Sequence, residues 1–177
     1  GVTKRAGHDV QQLQVFNKSE YSLVNEAVRD FKPDVVGFTS VSSQFSFVIE
    51  LSDIIKKLSP KTITVCGGVH TTLDPQCILE AKSLDAVFIG DAEYPFLDFL
   101  EKIKNNESWK DCDNIAYNDN GKMKKNKLRK LLTDKELDLL PHPDRTSYPF
   151  DKVLRKIGVA PFHFTRGCPF ACTYCSN

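Results

Sequence analysis

Four short apolar runs begin near residues 10, 34, 61 and 84, and the stretches between them carry helical periodicity. Starts that recur about every 25 residues leave room for one strand, one helix and their loops. No other feature of the chain restricts the fold as much. The rhythm predicts right-handed βαβ units, hence a doubly wound α/β domain in which helices cover a parallel sheet.

Element by element, residues 10–16 read as a short strand. Residues 21–31 follow as a helix with Leu23, Val24, Ala27, Val28 and Phe31 on one face. Pro33 ends that helix, and 34–40 (DVVGFTS) is apolar almost throughout, the pattern of a strand buried on both faces. A helix over 44–58 turns Phe47, Leu51, Ile54, Ile55 and Leu58 inward, and a strand over 61–66 ends in Gly67-Gly68. Residues 75–82 read as a helix, 85–89 as a strand and 95–104 as the last helix, with Pro95 in a first turn where its missing N–H is harmless. The opening residues read as the tail of a helix stopped by Gly7, so a strand and most of a helix are expected upstream.

The rhythm breaks after residue 106. Residues 114–117 and 122–126 flank Asn118-Asp119-Asn120-Gly121, a hairpin turn signal. Pro141 and Pro143 stiffen the connector that follows, and 159–165 is a fresh apolar strand. Three units are expected: an α/β domain over 1–106, a hairpin and linker over 107–150, and the start of a second unit over 151–177.

Composition excludes several classes. The net charge is +1, which argues against nucleic acid or an anionic membrane as partner. The basic run 122–130 (KMKKNKLRK) reads as a solvated hairpin edge. No apolar stretch reaches the roughly 18–20 residues of a membrane span, and no charged-then-apolar leader opens the sequence. Of the six cysteines, Cys66, Cys77 and Cys112 are scattered while Cys168, Cys172 and Cys175 crowd together. A secreted disulfide framework would spread them through a loop-rich fold, so a reducing, cytoplasmic setting is expected.

The crowded cysteines carry the chemistry. Residues 166–175 (RGCPFACTYC) contain C-x3-C-x2-C, a spacing that lets one loop bring three thiolates to three corners of a cubane iron–sulfur cluster. No fourth ligand lies nearby, and a cluster with one open iron can bind a substrate or cofactor directly. The competing reading is a zinc site completed by a distant residue such as His142 or His163.

This motif, following a strand, resembles the signature of the radical S-adenosylmethionine superfamily. Together with GGVHTTLDP, GDAEYPFLDFL and LDLLPHPDR it resembles, over essentially the whole chain, the cobalamin-binding members of that superfamily. The resemblance implies a flavodoxin-like cobalamin-binding domain followed by the start of a (β/α) barrel. It also implies reductive cleavage of S-adenosylmethionine to a 5′-deoxyadenosyl radical, for methyl transfer to, or rearrangement of, a small organic substrate, with a reducing electron donor as partner. Carried over by position, Cys168, Cys172 and Cys175 hold a [4Fe–4S] cluster, and Tyr174 lies against the adenine of S-adenosylmethionine. Thr39, Ser40, Ser42, Gly67, Gly68 and His70 contact cobalamin, with Glu93 a further candidate. The D-x-H-x-x-G motif that provides an axial histidine in other cobalamin proteins is not seen.

Simpler roles stand beside these. The glycine pair could ease a strand-to-helix turn. The hydroxyls at 39–43 could cap the next helix. His70 could be a solvated loop residue, and Asp91 and Glu93 could offset the positive end of the last helix.

Overall fold

The computed structural model of the chain describes residues 1–160, 166–168, 170, 172, 173 and 175. Strands β1 (Val35–Thr39), β2 (Ile63–Gly67), β3 (Ala86–Phe88), β4 (Ile115–Asp119) and β5 (Lys122–Lys125) form one sheet in the order β1-β2-β3-β4-β5. The first three are parallel, in the register Val35↔Ile63 and Val65↔Ala86. The helices are α1 (Val2–Arg5), α2 (Tyr21–Phe31), α3 (Phe45–Leu58), α4 (Val69–Leu73), α5 (Glu93–Lys104), α6 (Asp134–Asp138) and α7 (Phe150–Ile157).

Strand alternation sorts the core into two layers. Phe38, Cys66, Val87 and Ala116 share one face of the sheet, where they meet Phe45 and Val48 of α3 with Ile78, Ala81 and Leu84. Val65, Ala86, Phe88, Ile115 and Tyr117 share the other, beneath Phe96 and Phe99 of α5 and Trp109. Phe99 is fully buried, its ring 5.4 Å from Phe88 and 5.3 Å from Trp109. Val24 and Val28 of α2 pack on Leu51 and Ile55 of α3. Lys32 in the left-handed region (φ 49°) closes α2 just before Pro33, as the sequence expects.

Several local expectations change: β1, expected to be buried on both faces, is an edge strand among the described residues and has no fully buried residue, and Phe47, expected inward, is 41% exposed. Residues 10–16 form no strand; 11–16 line a cavity together with residues of β1. The helix expected over 75–82 is a 3-10 segment, Pro75–Leu79, led by the Asp74 side chain accepting from the Gln76 amide at 3.2 Å. Helix α5 starts at Glu93, two residues ahead of Pro95, so Glu93 sits at its positive end. The hairpin does not stand apart: β4 pairs antiparallel with β3 and completes the sheet, Phe88 opposite Ile115. Its turn uses Asn120 (φ 54°) and Gly121 (φ 86°), the two positive angles a tight hairpin needs. The strand expected over 159–165 lies outside the described residues from 161 onward, as do His163 and Tyr174.

Two opposite ends of the sheet matter for function. At the amino ends, Asp85 accepts from Lys56 Nζ (2.6 Å), the Thr64 amide (2.7 Å) and Thr64 Oγ1 (3.1 Å), and Thr62 Oγ1 donates to the Pro33 carbonyl (2.9 Å). The carboxyl ends carry the candidate residues.

Candidate functional site at the carboxyl ends of the strands

In a parallel α/β sheet, ligands settle outside the carboxyl ends of the strands, where the loops diverge. Here that rim is built from the loops after β1, β2 and β3. Gly68 makes the tightest junction. Its φ of 100° suits only glycine, and a Cβ there would lie 2.8 Å from the Ser40 carbonyl oxygen and 2.9 Å from Thr39 Oγ1. The glycine thus lets the β2 loop lie against the β1 loop, and the His70 amide then donates to the Ser40 carbonyl (3.2 Å). Gly67 has ordinary space around it.

The structure brings Thr39, Ser40, Ser42, Gly67, Gly68 and His70 to this one rim, in different postures. Thr39 and Ser42 are exposed, whereas Ser40 is buried with its hydroxyl 3.7 Å from the Cys66 thiol. The hydroxyls do not cap a helix: neither the 3-10 segment Ser42–Gln44 nor α3 has a side-chain cap. His70 Nδ1 lies 3.1 Å from Ser42 Oγ, and its ring sits 4.2 Å from the Phe45 ring. Its Nε2 is buried and has no protein partner. Val41 on the loop after β1 (44%) and Val69 (53%) and Leu73 (50%) at the two ends of α4 are left exposed.

Hydrogen bonds hold the rim together. Thr71 Oγ1 donates to the Phe88 carbonyl (2.8 Å), and Thr72 Oγ1 donates to the Gly68 carbonyl (2.8 Å) while accepting from the Gly90 amide (2.9 Å). From the far side, buried Asn114 donates to the carbonyls of Ile89 (2.8 Å) and Asp91 (3.3 Å). Glu93 is set apart from His70: one carboxylate oxygen accepts from Arg166, and Oε2 is buried without a partner. Sequence reasoning missed Thr72, Asn114 and Arg166 as rim builders, and passed over Val41, Val69 and Leu73. Only Arg166 carried a signal, standing two residues ahead of Cys168.

A cavity of about 460 Å³ runs along the outer edge of β1, between residues 11–17, α2 and α3. Leu13, Val15, Val28, Val36 and Leu51 give it apolar walls, and Thr39 stands where β1 reaches the rim.

The six cysteines are all free and divide in two. Cys66, Cys77 and Cys112 are buried. Loss of hydration pushes their thiols up to about 11, 12 and 11. Cys168, Cys172 and Cys175 are exposed, and the Cys175 amide donates to the Cys172 carbonyl (3.0 Å), a turn within the motif. Cys168 precedes that turn by four residues. Among the described residues no group of three or more His, Cys, Asp or Glu is already gathered as for a metal ion.

Residues 1–100 match the model of the B12 binding domain. The chain belongs to that family. The residues of this rim fit such a cofactor, since a buried nitrogen without a protein partner and exposed aliphatic side chains on neighbouring segments can receive a large, partly apolar macrocycle. Over 98% of its length the chain is 29% identical to an uncharacterized methyltransferase of Pyrococcus horikoshii, spanning 38% of that protein. Over 87% it is 32% identical to the anaerobic magnesium-protoporphyrin IX monomethyl ester cyclase of Rubrivivax gelatinosus, spanning 29% of it. The B12-binding chain therefore spans well under half the length of these relatives. Among solved structures, the radical S-adenosylmethionine methyltransferase TsrM of Kitasatospora setae superposes with a TM-score of 0.65 over 71% of this chain and 25% of its own, at 14% identity, a likeness of fold.

Proposed function

We propose that this chain is the cofactor-binding portion of a cobalamin-dependent radical S-adenosylmethionine enzyme that methylates, or cyclises or otherwise rearranges, a small organic substrate. One observation carries the reading. In a B12-binding domain, His70 is fixed by Ser42 and Phe45 with its Nε2 buried and unpartnered, beside exposed Val41, Val69 and Leu73. An orphaned polar atom next to exposed apolar side chains is unfavourable in a bare protein and relieved by a ligand of mixed polarity. The cavity beside β1, with Thr39 among its lining residues, is proposed to receive the slender tail of the same cofactor.

Cys168, Cys172 and Cys175 would hold the [4Fe–4S] cluster, with its free iron left for S-adenosylmethionine and Tyr174 beside the adenine. When bound, the cluster supplies the electron that cleaves the sulfonium C–S bond, and cobalamin supplies a methyl carrier. The chain's own residues position these groups: the rim seats cobalamin, and the cysteine turn presents thiolates to iron. An electron donor and a small-molecule substrate are the partners this chemistry needs. The proposed setting is the cytoplasm, supported by the six free cysteines. Among the described residues no helix is long and apolar enough to cross a membrane.

Equilibrium binding of hydroxocobalamin to the 177-residue chain, followed by its visible spectrum, tests the reading. Binding is expected, and Val69→Asp is expected to weaken it about tenfold by placing a charge where apolar surface is covered. Anaerobic reconstitution with iron and sulfide is expected to give a broad band at roughly 400 nm. Absence of cobalamin binding would leave the first domain a scaffold. One zinc and no iron would make the cysteines a structural clip and overturn the radical chemistry.

A further inference from the structure

The motif that would bind the cluster does not hang free of the α/β domain. Arg166, two residues ahead of Cys168, reaches the loop after β3, 73 residues away in sequence from Glu93. Its Nη2 donates to Glu93 Oε1, and its Nη1 lies 3.3 Å from Asp91 Oδ2. The Arg166 side chain is 38% exposed, Asp91 51% and Glu93 22%, so the contact lies at the surface with Glu93 its most shielded member, and its worth is in orientation rather than in Coulomb energy.

What Arg166 grips is rigid. Asp91 and Glu93 follow Gly90, whose amide is held by Thr72, and the Asp91 carbonyl is held by Asn114. Thr72 in turn bonds the Gly68 carbonyl, in the loop that presents His70. Hydrogen bonds therefore tie the Gly68 carbonyl to Thr72 and Thr72 to Gly90, the backbone carries on to Asp91 and Glu93, and these hold Arg166 two residues ahead of the first cysteine.

Planar geometry gives this contact its specificity. A guanidinium forked over two carboxylates fixes orientation as well as distance, which a lysine ammonium cannot do.

We propose that Arg166 is a positioning residue: its fork over Asp91 and Glu93 sets the distance and orientation of the cluster turn relative to the cobalamin rim. The inference rests on the proposed function for the identity of the two cofactors, but the latch itself is a contact within the chain and testable without them.

The test uses the full 177-residue chain with two readouts. In the cofactor-free protein, hydrogen–deuterium exchange of residues 90–94 is measured for wild type, Arg166→Gln, Arg166→Lys, Glu93→Gln and the Arg166→Gln/Glu93→Gln double variant. Exchange is expected to rise about fivefold in either Gln variant and no further in the double variant, with Arg166→Lys in between. Equal rates in wild type and Arg166→Gln would overturn the latch whatever the chain binds.

In protein reconstituted with iron and sulfide and loaded with cob(II)alamin, pulsed dipolar EPR reads the distances between cobalt and the reduced cluster. A narrow distribution is expected for wild type and one about twice as broad for Arg166→Gln at equal iron content. Equal widths would overturn the positioning role even if the exchange result stood. Failure of wild type to bind cobalamin would count against the proposed function, while the exchange experiment would still decide the latch.

Discussion

At the amino ends of the strands, polar groups are matched. Asp85 accepts three hydrogen bonds at one oxygen, Lys56 shares itself between Asp85 and the Thr62 carbonyl, and Thr62 reaches the Pro33 carbonyl. The carboxyl ends are different. His70 Nε2 and Glu93 Oε2 are buried without partners, and Val41, Val69 and Leu73 face outward. Both ends are loops on one sheet with similar residue types. Where every donor and acceptor is matched, the loops hold the sheet together; where matching is incomplete, the surface is prepared for something else.

If this contrast is right, substitutions at the two ends should separate stability from binding. The largest effect is expected at the matched end. Asp85→Ala takes the side-chain acceptor from the Thr64 amide and leaves Lys56 with the Thr62 carbonyl alone, and should lower unfolding free energy by about 2–4 kcal/mol. Urea denaturation checks this, and hydroxocobalamin affinity of the folded fraction should not change. A stability loss within error would break the contrast at its base.

Gly68→Ala comes next and should move both quantities. A Cβ at φ 100°, 2.8 Å from the Ser40 oxygen, should cost about 1–3 kcal/mol and separate the β1 and β2 loops. Reduced stability with unimpaired cobalamin binding would show that the junction of these loops is not part of the ligand surface.

His70→Ala should have the smallest effect on folding, under about 1 kcal/mol, since the ring's packing on Phe45 is all it contributes to the core. Cobalamin affinity is expected to fall about tenfold, the size of one lost polar contact. A large drop in melting temperature without loss of affinity would reverse the reading, making His70 a core residue and the rim a coincidence.

Much of this was legible in the sequence. The strands near 34, 61 and 84 and the helices between them stand nearly where the apolar patterns place them, because periodicity is a property of a dozen residues; which of those residues are buried is not, as exposed Phe47 and the half-exposed β1 show. Residues 10–16 show the limit. Val10, Leu13, Val15 and Phe16 satisfy a strand's composition, yet a strand exists only through a hydrogen-bonded neighbour, and none borders the outer edge of β1 among the described residues. The run instead forms one wall of the cavity. The hairpin was visible from Asn118-Asp119-Asn120-Gly121, but its pairing with β3 was not, since a turn signal fixes two strands to each other and not to a third.

The site divides in the same manner. Cysteine spacing is local, so Cys168, Cys172 and Cys175 could be picked out by counting, and their exposure sets them apart from buried Cys66, Cys77 and Cys112. The rim's glycine was visible, but its reason was not: only the folded chain brings the Ser40 carbonyl against Gly68.

By itself, then, the order of residues determined periodicity, turns and the thiol motif, all properties of chain segments a few residues long. Tertiary structure alone decided that Thr72 and Asn114 clamp the loop after β3, that His70 keeps an unanswered nitrogen, and that Arg166 reaches back to Asp91 and Glu93. The physical reason is separation along the chain. A hydrogen bond across 18, 23 or 73 residues depends on how every intervening element packs, and no local pattern encodes that sum.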